Sequence, residues 1–569
     1  MHDLLIRGGS VIDGTGAPRR TADLAIDGGR VTGIGADLGP ASRTIDADGL
    51  VVAPGFIDIH THLDVQGFWD PYLTPSPFHG VTTAVGGNCG FSVAPLDDAA
   101  AEYLMPMLAR VEGMPLESLE KGVPWDWGST EEYLTRLDGT LAINTGFMAG
   151  HCPLRRVVMG EAAAERAATP EEVQGMLNLL RASLRAGAFG LSSSLSPTHN
   201  DAAGRPVPSR HATPDELIAL AATCGEFPGT SIEFLPGVGL WDIDTQKLMI
   251  DMTVVARRPM NWNLIVGSER TRDEAFEHLA VSDRARAAGG KIVGLTLPCM
   301  DGFRISFRTG FILDSIDGWA EPMALPPAEK LALLASPGGR DRLGTLAAGS
   351  TALQSIADWG EKMIVETFTP ATKRYEGRKI GDIAAEECKT PFDALLDIVV
   401  ADDLRTSFVH AFPPETDTDW AVREQLVRDP RTVIGGADTG AHLDMITSFS
   451  FATDMLARMV RERGLLTTEE AVHLLTAGPA DLYGLVGRGR LEVGAMADVV
   501  VFDEETIRPG PVTTRFDLPG GAGRLYADAI GVEHVVVNGR PIVTAGELTG
   551  SCPGAVLRSG IDTVTPSMA

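Results

Sequence analysis

A chain of 569 residues is too long for one ordinary hydrophobic core, so it predicts one large domain with smaller companions. Hydrophobic residues at 44% and charged residues at 22% describe a globular protein and exclude a disordered or fibrous one. The formal net charge of −28 repels phosphate backbones and anionic headgroups, which argues against nucleic acid or a membrane surface as partner.

Over the first fifty residues the pattern predicts short strands at 3–7, 10–13, 22–26 and 30–34, punctuated by Gly and Asp as hairpins are. The apolar run Val51-Val52-Ala53-Pro54-Gly55-Phe56-Ile57-Asp58-Ile59 then reads as a buried strand that closes in His60-Thr61-His62. Side chains two apart on a strand share a face, so both imidazoles can reach one metal ion. Taken alone, two histidines in this spacing also occur on ordinary surfaces.

Strand-like and helix-like runs alternate from there on, which is the βα signature. Eight strands are predicted, at 52–60, 81–86, 141–150, 188–194, 230–235, 261–266, 291–297 and 432–437. Eight such units predict an α/β fold, a (β/α)8 TIM-like barrel. The stretch 298–392 is too long for a simple crossover and is expected to be an inserted subdomain. The chain closes with a strand at 497–503 and a hairpin, 532–537 and 540–544, around Asn538-Gly539. Neither end is large enough for a core. Residues 1–52 and 485–569 are therefore expected to form one composite β-sandwich, with the barrel spanning 53–484.

Chemistry in a barrel sits at the C-terminal ends of its strands. His60 and His62 stand there on the first strand, Cys89 follows the second, His151 the third, Glu233 lies on the fifth, Asn263 on the sixth, and Asp438 with His442 follows the eighth. Two histidines, a thiol and two carboxylates at one rim suit a zinc-type site. Each has a plainer alternative. Cys89 could be a small core filler, although its place between Asn88 and Gly90 at a strand end favours a ligand. Glu233 in an apolar strand needs a cation, either metal or arginine. Asp438 could cap the next helix. His79 and His473 are expected to be structural, while His199 and His211 flank a loop over the rim.

Cys89, Cys152, Cys224, Cys299, Cys388 and Cys552 include no CxxC pair and make no disulfide framework. The N-terminus lacks the pattern of a signal peptide and no apolar stretch reaches membrane-spanning length, so a cytoplasmic location is expected.

The motif Pro54 to His62 resembles the metal motif of the amidohydrolase superfamily. His79-Gly80-Val81-Thr82-Thr83 running through Gly87-Asn88-Cys89-Gly90 resembles the N-acyl-D-amino-acid deacylases within it, as do Gly150-His151, Gly190-Leu191-Ser192 and Ala437-Asp438-Thr439-Gly440-Ala441-His442. The resemblance implies a metal-dependent barrel with a split β-sandwich. It implies His60 and His62 as ligands, Cys89 as a thiolate ligand in place of a carboxylated lysine, and Asp438 as the proton-transfer carboxylate. The deacylases carry a ligand histidine on each of strands five and six; here Glu233 and Asn263 stand in those places. One zinc ion held by His60, His62, Cys89 and Asp438, with Glu233 in addition, is therefore expected, and a second ion is not.

The function expected is metal-assisted hydrolysis of a C–N amide bond in a small N-acyl amino acid or related amide. Asp438 would move the proton, His151 would help the developing oxyanion, and His199, Arg210, Asn263 and His442 would contact substrate. Arg155, Arg205, Arg304 and Arg308 are further candidates for a substrate carboxylate. Alternatives are an amidohydrolase of cyclic amides, esters or carbamates, and a non-catalytic binding protein on the same barrel. A homo-oligomer is expected.

Overall fold

The computed structural model describes residues 1–299, 303–350, 354–410 and 414–568. The apolar run that leads to His60 is two strands, not the single one expected. Val51–Pro54 pairs antiparallel with Val499–Phe502 and parallel with the end of His2–Val11. Phe56–Asp58 pairs parallel with Val81–Gly86 in a different sheet. Pro54-Gly55 makes the break. Pro54 has no N–H to extend a ladder. At Gly55 an added Cβ would lie 2.1 Å from Thr82 Oγ1, so only glycine lets the two sheets approach this closely.

Both chain ends join in one nine-stranded sheet, ordered Glu547–Leu548, Arg540–Thr544, Val532–Val537, Val499–Phe502, Val51–Pro54, His2–Val11, Arg20–Asp27 and Arg30–Gly35, with Ala41–Asp46 also on His2–Val11. Asn538 and Gly539 take φ of 46° and 76° in the hairpin between Val532–Val537 and Arg540–Thr544, the positive values that such a tight turn needs. Val499–Phe502 is buried on both faces. Val499 and Val501 pack with Leu4, Ile6, Leu24 and Val536. Val500 and Phe502 pack with Phe56, Val81 and Val535, so the terminal sheet is seated on the first two parallel strands.

Two runs of parallel strands follow. Phe56–Asp58, Val81–Gly86 and Asn144–Phe147 form one; Ala149–Gly150, Gly190–Ser194, Ser231–Leu235, Met260–Ile265, Ile292–Thr296 and Thr432–Ile434 form the other. Met148 joins them, donating its N–H to Gly86 O. A parallel bridge between Thr61 and Thr439 brings the first and last strands together beyond their ends. Helices lie between these strands, and their ends carry ordinary signals. Pro170–Ala186, for example, starts on a Thr169/Glu172 capping box and stops at Gly187 in the left-handed region.

The insertion between Ile292–Thr296 and Thr432–Ile434 has its own antiparallel sheet of Ile305–Ser306, Ser407–His410 and Lys362–Glu366. Its separate core contains Phe307, Trp319, Leu343, Ile383, Leu395 and Phe408. It runs past the expected limit at 392, because the central strand of that sheet is supplied by 407–410. His79 is buried between the Thr453 hydroxyl, 2.7 Å from Nδ1, and Ala527 O, 3.0 Å from Nε2. His473 Nδ1 lies 2.9 Å from Gly14 O. No helix among the described residues is long and apolar enough to cross a membrane.

Candidate metal centre

Main-chain bonds fix the two histidines before their rings do anything. Thr61 N–H donates to Val85 O at 3.0 Å and His62 N–H to Thr439 O at 2.7 Å, so the segment is pinned between the ends of the second and eighth strands. Buried Asp58 accepts the Thr439 hydroxyl at 2.7 Å and the His60 N–H at 3.4 Å. The rings of His60 and His62 then stand 5.7 Å apart, edge to face.

Cys89 sits in a turn whose conformation explains its glycines. Gly87 and Gly90 take φ of 75° and 80°, and Cys89 itself takes 55°. A Cβ on Gly87 would lie 2.5 Å from Met148 O. Three side chains clamp the turn. Asp64 accepts Gly87 N–H at 2.9 Å, Glu233 accepts Cys89 N–H at 2.8 Å, and Ser192 accepts Gly90 N–H at 3.0 Å. Asn88 donates to Val85 O at 2.9 Å. The thiol is left facing inward, 3.5 Å from His60 Nε2.

Ligand atoms of His60, His62 and Cys89 all fall within 4.8 Å of one another, and all three residues are buried. Asp438 Oδ1 lies beside this group, 3.2 Å from His60 Nε2 and 3.9 Å from His62 Nε2. A tetrahedral zinc with bonds of about 2.0–2.3 Å separates its donors by about 3.3–3.8 Å; Cys89 Sγ and Asp438 Oδ1, 3.5 Å and 3.2 Å from His60 Nε2, lie close to that spacing. The electrostatics point the same way. Burial, together with the charges of Glu233, Glu112 and Asp438, pushes the Cys89 thiol well above its ordinary value. Burial also lifts Glu233 to about 7. Without a cation these buried acids hold their protons; a cation is what would let a thiolate and carboxylates stand together here. Burial would lift Asp438 too, but the hydrogen bond and charge of His60 outweigh it and bring the carboxyl to about 2. Burial lowers His62 to about 3, keeping a neutral ring with a lone pair to give.

The remaining expected site residues divide. Asn263 donates its amide to Asp438 Oδ1 at 3.1 Å and lies 3.4 Å from His60 Nε2, so it is in the centre. Glu233 is beside the centre, with one oxygen committed to Cys89 N–H and the other without a hydrogen-bond partner among the described residues. His442 takes φ of 47°, donates its N–H to Glu112 O at 2.5 Å and stacks its ring 4.4 Å from Phe311. His199 is half-buried; its Nδ1 bonds the Ser194 hydroxyl at 2.8 Å, and its ring lies 4.9 Å from Phe91.

One expectation is corrected. His151 has no nitrogen to offer an oxyanion, because Nδ1 bonds Ser193 Oγ at 2.9 Å and Nε2 bonds Glu216 at 2.8 Å. Arg210 commits Nη1 to the loop it belongs to, donating to Asn200 Oδ1 at 2.7 Å and His199 O at 3.1 Å. Among the other arginines, Arg155 pairs with Glu216, Arg205 with Asp201 and Arg304 with Glu366.

The structure also brings in Glu112, which no sequence pattern marked. It follows the helix Asp98–Val111, is 3% exposed, and sets its carboxylate 3.5 Å from His62 Nδ1. Beyond it opens a cavity of about 460 Å³ lined by Gly113, Met114, Leu116, Arg308, Phe311 and Asp444, among others. Phe311 and Gly113 both touch His442, so the cavity adjoins the loop that carries Asp438.

Residues 43–299 and 366–543 match the model of the Amidohydrolase family. Two bacterial relatives from Alcaligenes xylosoxydans xylosoxydans align over nearly the whole chain. A D-aminoacylase is 29% identical, covering 98% of this chain and 97% of its own. An N-acyl-D-glutamate deacylase is 31% identical, covering 98% and 96%. Among solved structures, a D-aminoacylase with a binuclear metal centre, described as activated by one metal and attenuated by the second, superposes with a TM-score of 0.65 at 26% identity over 98% of this chain and 100% of its own. The N-acyl-D-glutamate deacylase of Bordetella Bronchiseptica, bound to zinc and a phosphonate mimic of the tetrahedral intermediate, gives 0.64 at 27% over 98% and 99%.

Proposed function

The chain belongs to the amidohydrolase family, and from that premise we propose that it removes the acyl group from N-acyl amino acids, D-enantiomers first, with one zinc ion per chain. It is a hydrolase of C–N amide bonds. The observation that carries the reading is the convergence of His60, His62 and Cys89 on one point with Asp438 Oδ1 beside it. We infer that the parallel strands, with Asn144–Phe147 and Ala149–Gly150 counted as one, close into a (β/α)8 barrel, for which the Thr61–Thr439 bridge is the support, and that the sheet built from both termini is its companion domain.

His60, His62, Cys89 and Asp438 would hold the ion. When bound, such an ion supplies a nucleophile from water at neutral pH and polarises the scissile carbonyl. Asp438 is unprotonated at neutral pH and is the base that receives the proton. Asn263 donates to Oδ1 of that carboxylate, which leaves Oδ2 to take the proton and pass it to the leaving nitrogen. An amine leaves an acyl carbon only when protonated, so the same group must act first as base and then as acid. Burial keeps bulk water from the thiol and both imidazoles, which strengthens every charge interaction among them.

Turnover of a panel of N-acetyl-D- and L-amino acids, a cyclic amide and an ester, with metal content measured on the same preparation, tests this. Fast hydrolysis of the D-amides by zinc-loaded protein is expected. Preference for the cyclic amide or the ester would replace the substrate class, and metal-loaded protein inert to the whole panel would remove the enzymatic reading.

A further inference from the structure

We propose that Glu112 is a positioning residue that fixes the tautomer and orientation of His62 toward the metal. The inference rests on the reading of His62 as a ligand.

The two ring nitrogens of His62 face opposite partners. Nε2 looks into the centre, 3.9 Å from Asp438 Oδ1. Nδ1 looks away from it, 3.5 Å from Glu112 Oε1. A neutral imidazole carries one proton, and only the other nitrogen has a lone pair for a metal. A carboxyl oxygen that accepts at Nδ1, ionised or not, puts the proton there and frees Nε2; burial and the charges of Asp438, Asp64 and Glu233 push the Glu112 carboxyl well above its ordinary value. The observed separation needs to shorten by about 0.5 Å to become a full hydrogen bond.

The other buried acids around the centre do different work. Asp64 takes Gly87 N–H, Glu233 takes Cys89 N–H, and Asp58 takes Thr439 Oγ1. Each holds backbone or a hydroxyl. Apart from Asp438, Glu112 is the one acid among the described residues within ion-pair reach of the His60 or His62 ring. His60 has no such partner: its Nδ1 is buried and unbonded among the described residues. The two histidines of the motif are therefore not equivalent, and His62 is the one whose orientation is enforced from behind.

Position explains how Glu112 can do this. It closes the helix Asp98–Val111, donating its N–H to Leu108 O, and its side chain is 3% exposed. Its own carbonyl accepts the His442 N–H at 2.5 Å. The side chain serves the ligand while the main chain ties down the loop from Asp438 to His442. A side-chain substitution removes the first role and spares the second, so the two are separable by experiment.

The test measures zinc affinity of purified protein by chelator competition, together with the melting temperature of the metal-free form. Glu112→Ala should weaken zinc by roughly ten- to a hundredfold, as loss of such outer partners does. Glu112→Gln is close in shape and keeps an oxygen acceptor for Nδ1–H, so it should stay within severalfold of wild type and answers the question if the alanine variant folds poorly. In a His62→Ala background, Glu112→Ala should add nothing further, whereas a merely structural Glu112 would lower affinity or melting equally in both backgrounds. Wild-type zinc affinity in Glu112→Ala, or an undiminished effect in the His62→Ala background, overturns the proposal. His62→Ala binding zinc as tightly as wild type would instead overturn the ligand reading on which it rests.

Discussion

Asn263 places its side-chain amide 3.1 Å from Asp438 Oδ1 and 3.4 Å from His60 Nε2. A neutral N–H donor therefore stands at the end of the sixth strand, beside the carboxylate and the imidazole. An amide nitrogen has no lone pair for a metal, so what Asn263 gives this centre is a hydrogen bond. On the fifth strand, Glu233 is turned to the Cys89 N–H.

One tightly held zinc-type ion per chain is expected from that arrangement, since only one complete donor set is present among the described residues. Elemental analysis of protein purified without added metal measures it. Two stoichiometric ions would show that Glu233 and Asn263, or a further residue, complete a second site.

Replacing Cys89 with alanine should weaken metal retention and activity together while leaving the fold largely intact. The turn is held by Asp64, Glu233 and Ser192 through main-chain groups that the substitution does not touch. Metal content, turnover and melting temperature of the metal-free variant separate the outcomes. Full metal and full rate with a markedly lower melting temperature would make Cys89 a packing residue.

Asp438→Asn should lower kcat by roughly a hundredfold or more, because general acid–base steps contribute about 10² to 10⁴. His60, His62 and Cys89 remain, so most of the metal should stay. Steady-state kinetics on the best substrate, read beside metal content, decides it. A near-wild-type kcat would pass the role of base to Glu233, whose carboxyl burial has already raised.

His79 gives a pH signature of its own. Burial lowers its pKa from 6.5 to about 4. Between those values the unfolded chain binds a proton that the folded chain refuses, so stability is full above pH 6.5 and is lost as pH falls toward 4. The loss is about 2 kcal/mol by pH 5 and about 3 kcal/mol in all. His79→Gln, which has no such proton to refuse, should show a smaller fall in melting temperature from pH 7.5 to pH 5 than wild type. Equal falls in the two proteins would mean that His79 contributes nothing to acid sensitivity.

Strand ends were the legible part of this chain. A polar residue at the end of an apolar run is displayed at the rim whatever its rotamer, which is why His60, His62, Cys89, Asn263 and Asp438 could be gathered from sequence and are found together. Depth is readable in this way, but direction is not. His151 also follows a strand, yet it turns toward Ser193 and Glu216, because it begins a helix packed on the next strand. Arg210 was expected to meet substrate, and one of its nitrogens, Nη1, is held by oxygens of its own loop. Glu112 carried no signal at all: fifty residues separate it from His62, and only the packing of a helix end against the eighth-strand loop brings the two together. Pro54-Gly55 lies inside a run that the sequence presents as one strand, 52–60. Only the fold shows that it hands the chain from one sheet to another.

That handover sets a timetable for biosynthesis. Val52 pairs with Val501, so the segment leading to the first two ligands waits for a partner made 449 residues later. At about 5–20 residues per second the ribosome takes roughly 20 to 90 seconds to supply it. For that interval the thiol of Cys89 and the imidazoles of His60 and His62 lack the sheet that anchors their strand, so firm zinc retention is expected only once that sheet has formed. A nascent chain stalled before residue 499 should lose zinc to a weak chelator that the finished protein withstands; equal retention by both would show that the centre assembles without the terminal sheet.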